Sequence, residues 1–316
     1  MSLVEKALHK LKTGSGPGQH PSPGDPLPAV EAMPDRAEPS QPSATLARPA
    51  RPRFIAAGKP IAIDINALRA KEMLPPKAEE RQLADQLRII KRPLIRHAFG
   101  EPAAAEPRGP SPRSIMITSA LPGDGKTFTA LNLAMSMAHE RDYSVVLVDA
   151  DVAKRDISHM LGLTRATGLL DVLADPARPI ESAIVATDYQ GLSVLPAGRV
   201  SETATELLAS ARMTEVINSL MALDSRCLVI LDSPPILLTT EAPILASLFG
   251  QIVVVVRAGG TPRRAVLEAV KIIGSAGRVS LVLNRADVVG PSGYHYDYGH
   301  RYGEQGPGTG SGRDDE

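Results

Sequence analysis

Apolar side chains recur along this chain in patterns that change abruptly from one stretch to the next. Over residues 1–12, Leu3, Ala7, Leu8 and Leu11 fall at helical spacing opposite Glu5, Lys6, Lys10 and Lys12, which predicts a short amphipathic helix. A helix this short is marginal by itself and is expected to lie on another surface. Residues 13–60 are dominated by Pro, Ala, Ser and Gly. Prolines recurring from Pro17 to Pro60 remove backbone donors and leave little to bury, so the stretch reads as a disordered linker. Apolar periodicity returns over residues 61–113, where Leu83, Leu87, Ile90 and Leu94 predict a helix that Pro93 should bend or end. A second Pro/Ala-rich stretch, residues 101–113, closes that segment.

Residues 114–290 alternate between two periods. Apolar runs at 115–118, 145–148, 192–195, 228–231, 252–256 and 281–283 are mostly continuous, as in strands covered on both faces. Helical patterns at 126–139, 202–223 and 263–273 fill the intervals. This alternation predicts a doubly wound, mostly parallel α/β sheet. Residues 291–316 turn to Gly and polar residues and read as a flexible tail, yet four of the six tyrosines (Tyr294, Tyr296, Tyr298 and Tyr302) fall there.

Composition narrows the chemistry. Aromatics make up 3% of the chain and Trp is absent, so the core must be aliphatic. Lys+Arg and Asp+Glu balance at 35 each, which gives no global field for nucleic acid. The single cysteine, Cys227, excludes an intramolecular disulfide and a Cys-rich zinc or iron–sulfur site, and it suits a reducing, cytoplasmic setting. No stretch approaches the ~20 apolar residues that span a bilayer, and the charged start lacks the apolar core of a signal peptide.

The strongest chemical signal is "SIMITSALPGDGKTFTALNLA", a strand, a Gly-containing loop and a helix in that order. Ala120, Pro122, Gly123, Asp124, Gly125, Lys126, Thr127 and Phe128 follow the phosphate-binding pattern GxxxxGK[ST], with Ala120 in place of the first Gly. Gly123 and Gly125 allow backbone N–H groups to converge on phosphate oxygens at a helix N-terminus. Lys126 can reach the β- and γ-phosphates, and the Thr127 hydroxyl can ligate Mg²⁺. Asp149 and Asp151 close the 145–148 strand, and Asp232 closes the 228–231 strand. Carboxyl ends of strands are where open α/β sheets bind ligands, so Asp149, Asp151 and Asp232 are expected at the ligand edge, with Asp232 holding the Mg²⁺ shell. Asn284 ends the last strand, and its amide suits either an adenine edge or a turn. ATP and Mg²⁺ are the cofactors implied, with no other metal.

The stretches "SALPGDGKT", "LVDADVAK" and "LVILDSPP" resemble the bacterial tyrosine autokinases of capsule and exopolysaccharide systems. "SLVEKALHKLK", "ADQLRIIKRPLI", "GLLDVL", "VLPAG" and "VRAGGTPRRAVLEAV" are similar to the form found with exosortase (PEP-CTERM) loci. The resemblance covers the ordered stretches and omits the Pro-rich linker. It implies a P-loop NTPase fold with Walker motifs at 120–127, 146–151 and 228–232, in which Asp149 and Asp151 are the acidic pair that arranges Mg²⁺ and the attacking tyrosine hydroxyl, either able to take its proton, and Asp232 is the Walker B acid. It also implies a cluster of C-terminal acceptors (here Tyr294, Tyr296, Tyr298 and Tyr302) phosphorylated in trans by a neighbouring subunit. Asp85, Arg88 and Lys91 match the family's oligomerisation row, E-x-x-R-x-x-R, with conservative changes at both ends, and imply a homo-oligomer, in some members a ring. Ala153 stands where the family often has Arg, with Lys154 and Arg155 following. A separate chain-length-determining membrane protein is the expected activator, which would hold a cytoplasmic chain at the inner membrane. The competing expectation is a positioning or partitioning ATPase, but Leu121 occupies the place where that class carries a second lysine.

Overall fold

The structure is a computed structural model that describes residues 59–100 and 109–286. The expected helix at 1–12, nearly all of the Pro-rich linker and the tyrosine tail lie outside the described residues. Two helices come first: α1 (Ile65–Ala70), opened by the Asp64 carboxylate accepting from the Ala67 N–H, and α2 (Glu80–Phe99). A seven-stranded sheet follows, made of β1 (Ser114–Ser119), β2 (Ser144–Asp149), β3 (Val185–Ala186), β4 (Leu192–Leu195), β5 (Cys227–Asp232), β6 (Gln251–Arg257) and β7 (Arg278–Asn284). Its order is β3-β4-β2-β5-β1-β6-β7, and only the β3–β4 pair is antiparallel.

The helices between strands are α3 (Lys126–Ala138), α4 (Asp156–Met160), α5 (Leu169–Ala174), α6 (Ala204–Leu208), α7 (Ala211–Ala222), α8 (Glu241–Ala246) and α9 (Arg263–Ile273). Strand alternation sorts the core into two layers. Ile115, Ile117, Val145, Leu147, Leu228 and Ile230 face α3, together with Leu68 of α1 and Leu87 and Leu94 of α2. Met116, Val146, Val148, Val229 and Leu231 face α5, α7, α8 and α9 on the other side. Residues 61–100 therefore share a core with the sheet.

The expected strands are all present, and β3 is an addition too short for its period to show. The expected helix at 202–223 is two helices, because Ser210 adopts extended backbone and its hydroxyl donates to Leu207 O. Pro93 neither ends nor interrupts α2, which runs on to Phe99. The proline lies on the exposed face, where water can satisfy the carbonyl left without an N–H partner.

Parallel pairing places the site. β5 lies between β2 and β1, and its register sets Asp149 beside Asp232. The loop leaving β1 opens at the same carboxyl edge.

Candidate active site

β1 runs into a loop whose backbone could not be built from ordinary residues. Gly123 and Gly125 sit at φ 83° and 97°, the left-handed region that other side chains avoid. A Cβ on Gly125 would also collide with the Asn284 amide. Ala120 does not share that conformation, which is why it can replace the motif's first Gly without strain. The loop is braced from three sides. Asn284 Nδ2 donates to Asp124 O at 2.9 Å, Thr261 Oγ1 donates to Asp124 Oδ1 at 2.6 Å, and the Leu121 N–H donates to Asp124 Oδ2 at 3.2 Å. The buried Asp124 side chain is thus a brace of the loop. Pro122 is exposed at the loop's outer side.

α3 opens from this loop into a cavity of about 480 Å³, lined by Gly123, Gly125, Lys126, Thr127 and Phe128 with Lys71, Lys154, Asn284 and Arg285 among others. Behind it the charged groups converge. Lys126 Nζ lies 2.6 Å from Asp151 Oδ2 and 3.8 Å from Asp232 Oδ1, and it donates to Thr127 Oγ1 at 3.1 Å. Burial opposes the charge on Lys126, but Asp232 and Asp151 outweigh it and raise its pKa. Burial pushes Asp232 up to about 7, with Lys126 opposing and Asp149 adding to the rise. Burial likewise pushes Asp149 up to about 6 against the hydrogen bonds from Ser158.

Among the described residues, Asp149 Oδ1 and both oxygens of Asp232 are buried without a hydrogen-bond partner. Buried carboxylate oxygens left open are costly, and they gather here at one point beside a hydroxyl and a lysine. This donor set fits Mg²⁺, a hard cation that takes one or two carboxylates and completes its shell with phosphate and water. No cluster of three or more His, Cys, Asp or Glu side chains forms a closed metal cage among the described residues. Thr127, Asp149 and Asp232 would hold the ion, with phosphates in the Gly123–Lys126 cradle.

Comparison with known proteins gives this arrangement its context. Residues 112–259 match the family model described as an AAA domain. The chain is 34% identical to EpsB of Ralstonia nicotianae over 191 residues, which is 60% of this chain and 24% of EpsB. It is 31% identical to the tyrosine-protein kinase CpsD of Streptococcus pneumoniae over 180 residues, which is 55% of this chain and 76% of CpsD. The chain belongs to the bacterial tyrosine kinases. Against EpsB it spans about a quarter of the relative's length. The solved kinase domain of VpsO superposes with a TM-score of 0.53 at 26% identity, covering 67% of this chain and 100% of that domain.

In this kinase-family chain the remaining expected residues separate. Lys126, Thr127, Asp149, Asp151 and Asp232 are brought together. Asn284 is engaged within the chain, donating to Asp124 O while its Oδ1 accepts from the Arg285 N–H at 2.9 Å. Phe128 lines the phosphate cavity and the larger groove beside it. Asp85 and Arg88 pair with each other at 2.7 Å on an exposed face of α2. Lys91 does not share that face. It is buried against α3, donating to Ser136 O at 3.0 Å and pairing with Glu140 at 2.7 Å. The reason is helical drift: each three-residue step falls back by ~60°, so two steps carry Lys91 onto the stripe of Leu87 and Leu94. The tyrosines of the tail lie outside the described residues.

Two flanking segments were absent from the sequence reading of the site. Residues 71–73, held by Asn132 Nδ2 donating to Met73 O at 2.8 Å, and Arg285 after β7 both line the cavity. Glu72 and Arg285 share left-handed backbone at φ 57° and 54°, a conformation that no local motif announces.

Proposed function

We propose that this chain is an ATP- and Mg²⁺-dependent protein-tyrosine autokinase whose acceptors are Tyr294, Tyr296, Tyr298 and Tyr302, phosphorylated in trans between copies. The observation that carries the proposal is the buried contact of Lys126 with Asp151 beside the open oxygens of Asp149 and Asp232. Mg·ATP supplies the phosphoryl group and a divalent charge. Lys126 holds Asp151 in the resting site and is the group able to turn towards phosphate oxygens. That movement frees Asp151 to accept the proton of a tyrosine hydroxyl, whose unperturbed pKa is about 10. Asp149 and Asp232 orient the metal, and Gly123 and Gly125 present backbone donors to the phosphates. Membership of the family supports exopolysaccharide or capsule export as the process served. The stretches "ADQLRIIKRPLI" and "VRAGGTPRRAVLEAV" are what support an exosortase-type setting, with a membrane chain-length determinant as activator at the inner membrane. Among the described residues no helix is long and apolar enough to cross a membrane.

The test is incubation of purified protein with ATP and Mg²⁺, followed by phosphosite mapping by mass spectrometry in wild type and Lys126→Ala. Phosphotyrosine in the tail of wild type alone is the expected result. ATP turnover with an unmodified tail would instead identify a positioning-type ATPase.

A further inference from the structure

Asp149 is oriented by a residue nine positions downstream that no motif includes. After Asp151 the chain reverses through a turn in which the Arg155 N–H donates to Asp151 O at 2.7 Å and Arg155 adopts φ 55°. Arg155 then reaches Thr164 O at 2.8 Å, which ties the turn down. The reversal brings Ser158 of α4 back against β2. Its backbone N–H and its hydroxyl both donate to Asp149 Oδ2, at 2.8 and 2.7 Å. The hydroxyl oxygen also accepts from the Ala197 N–H at 2.9 Å.

These contacts leave little freedom. Ser158 and Asp149 are both fully buried. A hydroxyl has one proton to give, and with the Ala197 N–H held on its oxygen that proton points at Asp149. Oδ2 therefore receives two donors, and Oδ1, which has none, is the oxygen left for a ligand. Ala197 is fixed in turn, since its carbonyl accepts from Leu170 N at 3.0 Å and the neighbouring Pro196 O accepts from Leu169 N at 2.7 Å.

We infer that Ser158 is the positioning residue that turns one oxygen of Asp149 towards the metal of Mg·nucleotide and ties it to the loop after β4. The inference rests on the nucleotide site proposed above, but it does not require that the chain phosphorylate tyrosine.

The experiment titrates full-length protein with ADP in EDTA, and then with Mn²⁺ in the presence of ADP, by calorimetry, for wild type, Ser158→Ala and Ser158→Thr. Loss of a partner that orients a metal ligand weakens metal binding on the order of 10–100-fold, so Ser158→Ala should show that loss. Its ADP affinity in EDTA should stay within about twofold of wild type, because the phosphate cradle is untouched. Ser158→Thr, which keeps the hydroxyl, should recover most of the metal affinity. Wild-type Mn²⁺ affinity in Ser158→Ala, or an equal loss of metal-free ADP binding, would overturn the inference. If Ser158→Ala fails to fold, Ser158→Cys keeps the volume with a weaker donor, and wild-type metal affinity there would overturn it equally. A wild type that binds Mn²⁺ and ADP but leaves its tail unmodified would sink the kinase reading while these titrations still decide the role of Ser158.

Discussion

Two buried lysines at opposite ends of α3 show what separates a site from a scaffold. Lys91 lies under α2, where Ser136 O and Glu140 satisfy it, and Glu140 remains half exposed. Lys126 stands among three buried aspartates, bonded to one, and the other two keep carboxylate oxygens without partners. Lys91 closes a packing contact, whereas the acids around Lys126 keep oxygens for which the described residues supply no hydrogen-bond partner. The difference is how many groups remain unsatisfied, since both lysines are buried and both are paired.

The comparison breaks most directly through Lys126→Met, which should lower autophosphorylation by at least about 10²–10³-fold, as for other losses of a transition-state charge partner. Lys91→Met should leave the rate within about twofold and the stability within about 1 kcal/mol, because an apolar side chain of similar volume replaces a buried ion pair at little net cost. Both are read by phosphate incorporation and denaturant unfolding.

Asp232→Asn should show that the open acids are a stability burden. At pH 8 the metal-free variant should melt roughly 5 °C or more above wild type, since it removes a buried charge. Below the unfolded value of 3.8, where the Asp232 carboxyl is protonated in the folded and the unfolded chain alike, the two should melt alike.

The same linkage sharpens into a pH profile. Asp232 and Asp149 have folded values of about 7 and about 6, both above the unfolded 3.8. The native state thus holds protons that the unfolded chain has released, so metal-free stability should fall as pH rises from about 4 to about 7 and level off above. Saturating Mg·ADP should remove most of that slope. Thermal melts across pH with and without Mg·ADP would check this, and a metal-free profile rising over that interval would contradict it. The smallest effect is expected from Glu140→Gln, which should change stability by less than about 1 kcal/mol because the carboxylate it removes is half in water.

Much of the candidate site was legible in sequence because its signals are local. The glycines, Lys126 and Thr127 lie within one loop and one helical turn, and the aspartates end apolar runs that had to be covered strands. The burial of Lys91 was not legible for a geometric reason: three-residue spacing keeps to one face over one step but not over two. Ser158 gave no signal, since one Ser in "DISHM" is an ordinary helix residue until the turn at Arg155 aims it. The bond from Asn284 to Asp124 O was set only by the approach of β7 to the loop after β1.

The local order of strand, loop, helix and strand-end acid was thus determined by the sequence alone, because each part depends on neighbours within a few residues. Tertiary structure decided which groups close on one another: Asn284 on Asp124, Ser158 on Asp149 and Ala197, and Lys91 on Glu140. Those contacts depend on strand order, on helical drift and on a turn whose strain is stored where the chain reverses. The physical reason is burial, which gives a polar contact its value only after distant segments have met to exclude water.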